Sequence, residues 1–335
     1  MVEVFVNSTE YYYKTVSSVV ELMDNELTVS HIFRGGAFTK SGIPYGEAVA
    51  GKLGMTGGLK SGLSILEVGP GLGDVAQGII SVLERQNADF HYTFADISYD
   101  VIKHLKSRFK GRRFSFITGD FIAEKLGEKF DFIICNEVLA DFPTIVNMTL
   151  YKPKIREGDT DAYFDAVSLV KFYGLSFAKP ANFNYGAVKF MEKARASLFE
   201  NGKLFMCEHS SEKPQRIGVF GHSEYTIDFG TLEKIAAKLR FRGSESGNLS
   251  ELLGVKDVKA VLFYTQPELK MLYNFFKSQG VLLDQRPYEA DEAVETLEKN
   301  GVHMQTKKSY GEFLVKHAGP LRSITNQFSY LILQA

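Results

Sequence analysis

From Ser64 onward, short apolar runs alternate with longer stretches in which apolar residues recur every three to four positions. The runs "SILEVG", "FHYTFADI", "RFSFITGD", "FDFIICNE" and "GKLFMCEH" have strand length, and segments 75–86, 99–109 and 186–200 have the helical period. Strands apolar on both faces and separated by helices predict βαβ units and a parallel sheet. Residues 1 to about 60 carry a helical period, as in "YKTVSSVVELMDNEL", broken by the joints "RGGAF" and "MTGGLKSG". They predict a helical lead-in.

Between Pro143 and about Asn184 the alternation lapses into an aromatic-rich insertion, "DAYFDAVSLVKFYGLSFAKPANFNYG". At the carboxyl end of a strand, where α/β sheets bind ligands, such a segment is expected to form a lid or substrate wall, or to plug a core. "EYTIDF", a helix at 229–241 and a largely helical region at about 249–300 follow, before "QFSYLILQA" returns to the sheet as a last strand. The expected regions are a lead-in at 1–60, a core at 61–245 with a cap insertion at about 143–184, and a helical elaboration at 246–335.

The 335-residue chain is long enough for a full core. A net charge of −1 with no large basic block disfavours nucleic acid as a partner. No run reaches the roughly 20 apolar residues of a membrane span, and the first residues lack a signal-peptide pattern, so a soluble cytoplasmic protein is expected. Cys135 and Cys207, the two cysteines, each close an apolar run and are expected to be buried thiols. No His or Cys pair has ligand spacing, so no metal site is expected.

The loop "LEVGPGLGD" follows a strand and opens a helix, the setting of a nucleotide-binding turn. Gly69, Gly71 and Gly73 sit at alternate positions, unlike the G-x-G-x-x-G spacing of dinucleotide sites, and Asp74-Val75 stands where a P-loop needs Lys and Ser or Thr. The ligand of this acidic turn is therefore not a polyphosphate. Asp96 ends the second strand, where a carboxylate can accept from both ribose hydroxyls, and Asp120 ends the third. Alone, each acid would be expected to cap its turn. Together, after this loop, they point to one ligand.

Glu67-x-Gly69-x-Gly71-x-Gly73 resembles motif I of class I methyltransferases. The resemblance implies a Rossmann-like α/β fold with a seven-stranded, mainly parallel sheet, and S-adenosylmethionine as cofactor. It further implies that Glu67 orients the loop, that Asp120 contacts the adenine amino group, and that Phe121 or Ile97 packs on the ring. At the fourth strand end, "NEVLADFP" is similar to the N-E-x-x-D-A-x-P segment of the MidA-like family, which includes a complex I assembly factor that methylates an arginine of a partner subunit. "FTKSGIPYGEAVAGKL", Pro70 and "YTIDFGTLEKIAAKL" are similar to that family too, over about residues 37–243. Two departures stand out: the family's Asp falls on Ala140, with the acid displaced to Asp141, and its D-Y-G is replaced by Glu208-His209-Ser210.

The resemblance implies methyl transfer to a protein or peptide side chain such as arginine. Glu137 would then pair with the guanidinium, Asn136 would lie beside the cofactor, and Asp141, Glu47 and Glu208 would be further acidic candidates. A small-molecule O- or N-acceptor is the alternative, with His209 or His222 as base. A third reading is a non-catalytic assembly factor that retains the cofactor fold.

Overall fold

The apolar runs form strands that the computed structural model places in one large sheet. It describes residues 2–15, 28–56, 62–177, 179–219, 222–258 and 321–335, with scattered positions between 261 and 299. The strands are β1 (Glu3–Asn7), β2 (Leu63–Val68), β3 (Phe90–Asp96), β4 (Phe114–Thr118), β5 (Phe130–Asn136), β6 (Thr144–Met148), β7 (Lys154–Ile155) and β8 (Ala181–Phe183). They continue with β9 (Leu198–His209), β10 (Arg216–Val219), β11 (His222–Tyr225), β12 (Gly243–Asn248), β13 (Val261–Leu262), β14 (Tyr288–Glu289) and β15 (Phe328–Gln334). The helices are α1 (Glu10–Thr15), α2 (Val29–Ile32), α3 (Tyr45–Leu53), α4 (Asp74–Arg85) and α5 (Tyr99–Arg108). The later ones are α6 (Thr160–Phe172), α7 (Tyr185–Ser197), α8 (Phe229–Lys238), α9 (Leu249–Leu253) and α10 (Leu321–Thr325).

The seven-stranded sheet runs β4-β3-β2-β5-β9-β15-β12. β4 through β9 are mutually parallel, and β15 lies antiparallel between β9 and β12. The terminal run "QFSYLILQ" is therefore an inserted strand of the sheet, as its pattern predicts. Leu63 and Ile65 of β2 join the apolar cluster of α3, α4 and α5, while Leu66 and Val68 join that of α6, α7 and α8. Alternate residues of one strand thus enter two covered layers, which is why the run is apolar on both faces apart from Ser64 and Glu67. The edge strand β12, "GSESGN", is polar and mostly exposed, a composition that resists edge-to-edge pairing.

The helix α3 holds the glycine-loop helix α4 at close range. A Cβ built on Gly46 would stand 2.1 Å from the Val75 carbonyl oxygen and 3.0 Å from Gly78 Cα. Gly46→Ala is expected to force the helices apart and cost about 2 kcal/mol, read as a lower urea midpoint at unchanged slope.

Two expectations change. The lead-in is not wholly helical: β1 is a strand, pairing antiparallel with β6 and parallel with β7 in a second sheet of order β7-β1-β6-β8. Its own "EVFVN" alternates only weakly, and its partners lie about 140 residues away, so no local pattern announces it. The 143–184 insertion is likewise no lid but the rest of this second sheet, with α6 packed on it. Most of the expected helical region at 249–300 lies outside the described residues. Among the described residues, no helix is long and apolar enough to cross a membrane. Cys135 and Cys207 are buried free thiols.

Candidate active site

The carboxyl ends of β2, β3 and β5, with the turn after β4, open on a cavity of about 350 Å3, within the usual size range of ligand sites. Gly69, Gly71, Asp96, Ile97, Asp120 and Phe121 all line it. The three glycines differ in purpose. A Cβ on Gly71 meets nothing within 4 Å, so the loop presents bare backbone to the cavity there. Added to Gly69, it would stand 2.2 Å from Val138 Cγ2, and added to Gly73, 2.7 Å from Phe109 Cε2. Those two are small because protein packs on them. Only Gly71 leaves room for a ligand.

Glu67 does not bond the loop amides. It is 1% exposed and accepts from the Tyr92 hydroxyl (2.8 Å), while burial pushes its carboxyl up to about 8, so it holds a proton at neutral pH. Asp96 Oδ1 accepts from Ser98 N (2.8 Å), and burial outweighs that bond, pushing the carboxyl to about 7. Asp120 Oδ1 accepts from Ile122 N (2.9 Å). Each aspartate thus shapes its own turn and also lines the cavity. Phe121 is buried against Phe190 (centroids 5.4 Å apart).

At the fourth strand end, a chain of bonds runs across the site. The Tyr45 hydroxyl, fully buried, donates to Asn136 Oδ1, and Asn136 Nδ2 donates to Glu137 Oε1 (2.9 Å). Glu137 Oε2 and Oε1 then accept from Val29 N (2.6 Å) and Ser30 N (3.0 Å). Both oxygens of the expected guanidinium partner are therefore engaged by protein. Burial raises its carboxyl above the usual range despite these bonds. In the sequence, Tyr45 is visible only through the family-like "PYGEAV" segment.

The other candidates divide. Glu47 forms a two-point ion pair with Arg85 (3.0 and 2.6 Å), away from the cavity lining. Glu208 is buried, accepting from His209 N (2.7 Å) and Ala140 N (3.3 Å), and burial lifts its carboxyl to about 8. His209 Nε2 bonds Gln327 Oε1 (2.9 Å), outside the lining. Asp141 does line the cavity, with Thr9 Oγ1 donating to its Oδ1 (3.0 Å). His222 lies behind it, 2.6 Å from Glu224 Oε1, and donor atoms of Asp141, His222 and Glu224 all fall within 4.8 Å of one another. Such a cluster could hold a cation, a grouping that linear spacing does not reveal.

Sequence reasoning also missed His31. It lines the cavity with Nδ1 2.7 Å from Asp74 Oδ2, and Arg108 Nη1 donates to Asp74 Oδ1 (3.1 Å). Burial works against charge on Asp74, but the His31 and Arg108 contacts outweigh it and hold the carboxyl below its ordinary value. Nothing in the periodicity of "TVSHIF" marks this histidine.

Residues 59–218, just under half of the chain, match a family described as a methyltransferase domain. Among curated proteins none matches the sequence. An uncharacterized superfamily protein from Burkholderia thailandensis aligns over 98% of this chain and 87% of its own at 13% identity, with a TM-score of 0.51. This is a likeness of fold. A second superfamily member from that organism, bound to S-adenosyl-homocysteine, aligns over 93% of this chain and 79% of its own at 14% identity and TM-score 0.48. The glycopeptide N-methyltransferase MtfA complexed with sinefungin aligns over 66% and 82% at 12% identity and TM-score 0.38. The lining fits an adenosine-type ligand without polyphosphate: Gly71 leaves bare backbone there, no Lys or Arg stands in the glycine loop, and the Asp96 carboxylate and Phe121 are on the wall. Residues 59–218 thus resemble a methyltransferase domain, in a Rossmann-like α/β fold of the class I methyltransferase type, for which the indicated cofactor is S-adenosylmethionine.

Proposed function

We propose that the protein transfers a methyl group from S-adenosylmethionine to a nitrogen of a protein or peptide side chain, with arginine the acceptor that fits best. The observation that carries methyl transfer is the convergence of Gly71, Asp96 and Asn136 on one cavity. Bound there, the cofactor supplies a sulfonium methyl already activated for in-line displacement. The chain's part is to position: Asp96 would accept from the ribose, the Gly71 backbone would leave room for the cofactor, and the Tyr45–Asn136 bond holds the fourth strand end where Asn136 lines the cavity. Asp141, which lines the cavity beside Glu224 and His222, would be the acid nearest a cationic acceptor, whereas both oxygens of Glu137 accept from backbone amides. His222, bonded to Glu224 beside Asp141, would be the base that receives, through Asp141, the proton released from the methylated nitrogen. The cytoplasm is the proposed compartment, suiting two buried free thiols.

The test is incubation with methyl-labelled S-adenosylmethionine and arginine-containing peptides, followed by mass spectrometry and assay of S-adenosylhomocysteine. Label on a peptide guanidine is the expected result. Failure to bind S-adenosylhomocysteine at all would overturn the enzyme reading, whereas label on small molecules alone would overturn the peptide acceptor.

Binding should also depend on pH. Ribose hydroxyls donate to the charged form of Asp96, whose carboxyl sits at about 7 in the free protein. Binding lowers that value and releases a proton below it, so affinity rises with pH up to about 7 and then levels, by at most about tenfold per pH unit. Asp96→Asn should flatten this profile in calorimetry.

A further inference from the structure

The large apolar side chains that stay in water are concentrated on one layer. Of the eight exposed among the described residues, five are Val2, Leu150, Tyr151, Phe164 and Phe172, on or beside the second sheet or on α6. Scattered singly such residues need no explanation, but a concentration marks a contact surface. The helix carries the strongest part. Phe164 is 58% and Phe172 71% exposed, and each stands edge-on against a buried tyrosine, Tyr163 and Tyr173, with ring centroids 5.4 and 5.0 Å apart. Both rings are thus fixed in place before any partner arrives.

With about 100° of turn per residue, Phe164, Asp165, Lys171 and Phe172 all fall within about 60° of Ser168 and share its face of α6. Ser168 and Lys171 are exposed, and the Asp165 side chain is 42% exposed. Tyr185 and Lys189 bond Asp165 Oδ2, but among the described residues nothing bonds its Oδ1, and Lys171 has no ion pair. This face is its own complement under a two-fold axis through Ser168. A residue four before the axis then lies opposite the residue four after it in a second copy, and three before opposite three after. Phe164 meets Phe172, Asp165 meets Lys171, and serine meets serine at the centre, where small side chains let the helices approach to about 8 Å. Moving the axis by half a residue sets Phe164 against Lys171 or Asp165 against Phe172, and both matched pairs are lost.

We infer that the protein forms a two-fold symmetric dimer through antiparallel contact of two copies of α6, centred on Ser168. The two aromatic pairs supply the apolar middle, and the two Asp165–Lys171 pairs fix the register more than the affinity. The 13-residue helix is about 20 Å long, short by itself of the roughly 800 Å2 that each partner buries in a standard interface. The turn carrying Leu150 and Tyr151 extends the patch, being tied to α6 by the Tyr163 hydroxyl, which donates to Thr149 O (2.8 Å). Tyr185 and Lys189, held by Asp165, line the cavity, so the dimer contact lies directly behind its wall. The dimer does not depend on what the cavity binds.

Sedimentation velocity of the full chain is expected to show a monomer–dimer equilibrium with a dissociation constant of about 1–50 μM. Phe164→Lys and Phe172→Glu, each alone, should raise that constant more than about 30-fold and leave the urea midpoint unchanged, because both side chains already stand in water. Mixed in equal amounts, the two variants should pair with each other again. The new cation of one copy then meets the new anion of the other, and the second Phe164–Phe172 pair is left intact. Ser168→Cys reads the register: under mild oxidation it should cross-link to its own copy, whereas Asp161→Cys, whose copies stand roughly 20 Å apart in this arrangement, should not. Cys135 and Cys207 are buried and do not compete. A wild-type chain that stays monomeric, a dimer that neither Phe variant weakens, a mixture that fails to pair, or cross-linking through Asp161→Cys and not Ser168→Cys would each overturn the inference.

Discussion

Arginine in place of Gly71 is expected to weaken S-adenosylhomocysteine binding more than about 100-fold while leaving the fold nearly as stable as before. The argument is geometric. A Cβ at this position points into open space, so the rest of the side chain extends into the volume where the ligand lies. Gly71 has φ +51°, a left-handed conformation that costs an L-residue about 1 kcal/mol, small beside the whole stability of a domain. Calorimetry and a urea melt on the same preparation separate the two effects. Gly73→Arg is the contrast, because its Cβ would already collide with Phe109 and Leu105, so it should unfold the loop and α4 instead. Undiminished affinity in Gly71→Arg would mean that the ligand does not approach this backbone.

Glu137→Ala is expected to cost about 3 kcal/mol and to raise hydrogen exchange at the Val29 and Ser30 amides far above that of α4. Removing the carboxylate strands two backbone amides and the Asn136 side chain, all bonded to it in a buried setting. Unpaired buried donors carry most of that cost, because water cannot easily replace the lost acceptor. The result separates two roles for this residue. A carboxylate acting as a substrate clamp would lower turnover and leave stability and exchange unchanged. One acting as a latch for residues 28–31 would change both, and cofactor affinity would fall with them because that segment forms part of the cavity wall.

The same distinction applies to Glu208, which bonds His209 N and Ala140 N and so braces the turn after β5. The acids nearest the sheet serve its backbone. Asp141 lines the cavity, and Glu224 lies next to it. The displacement of the family-like acid from Ala140 to Asp141 therefore falls on the residue that lines the cavity, while Ala140 is buried.

The sequence by itself determined what depends on near neighbours. Period and length marked β2, β3, β4, β5, β9 and β15 and the helices α4, α5, α7 and α8, because burying an apolar face is decided within a few residues. Asp96 and Asp120 were legible as cavity residues for the same reason: a strand end and its turn are local. Tertiary structure alone decided which carboxylates the backbone engages. Glu137 meets amides 107 and 108 residues away, His31 meets Asp74 across 43, and Asp141 meets a histidine and a glutamate from β11. A carboxylate has the same letter whether a backbone amide or a substrate completes its hydrogen bonds, and only packing brings one of them within 3 Å. β1 is decided likewise, since its ladder is formed by strands that folding brings beside it.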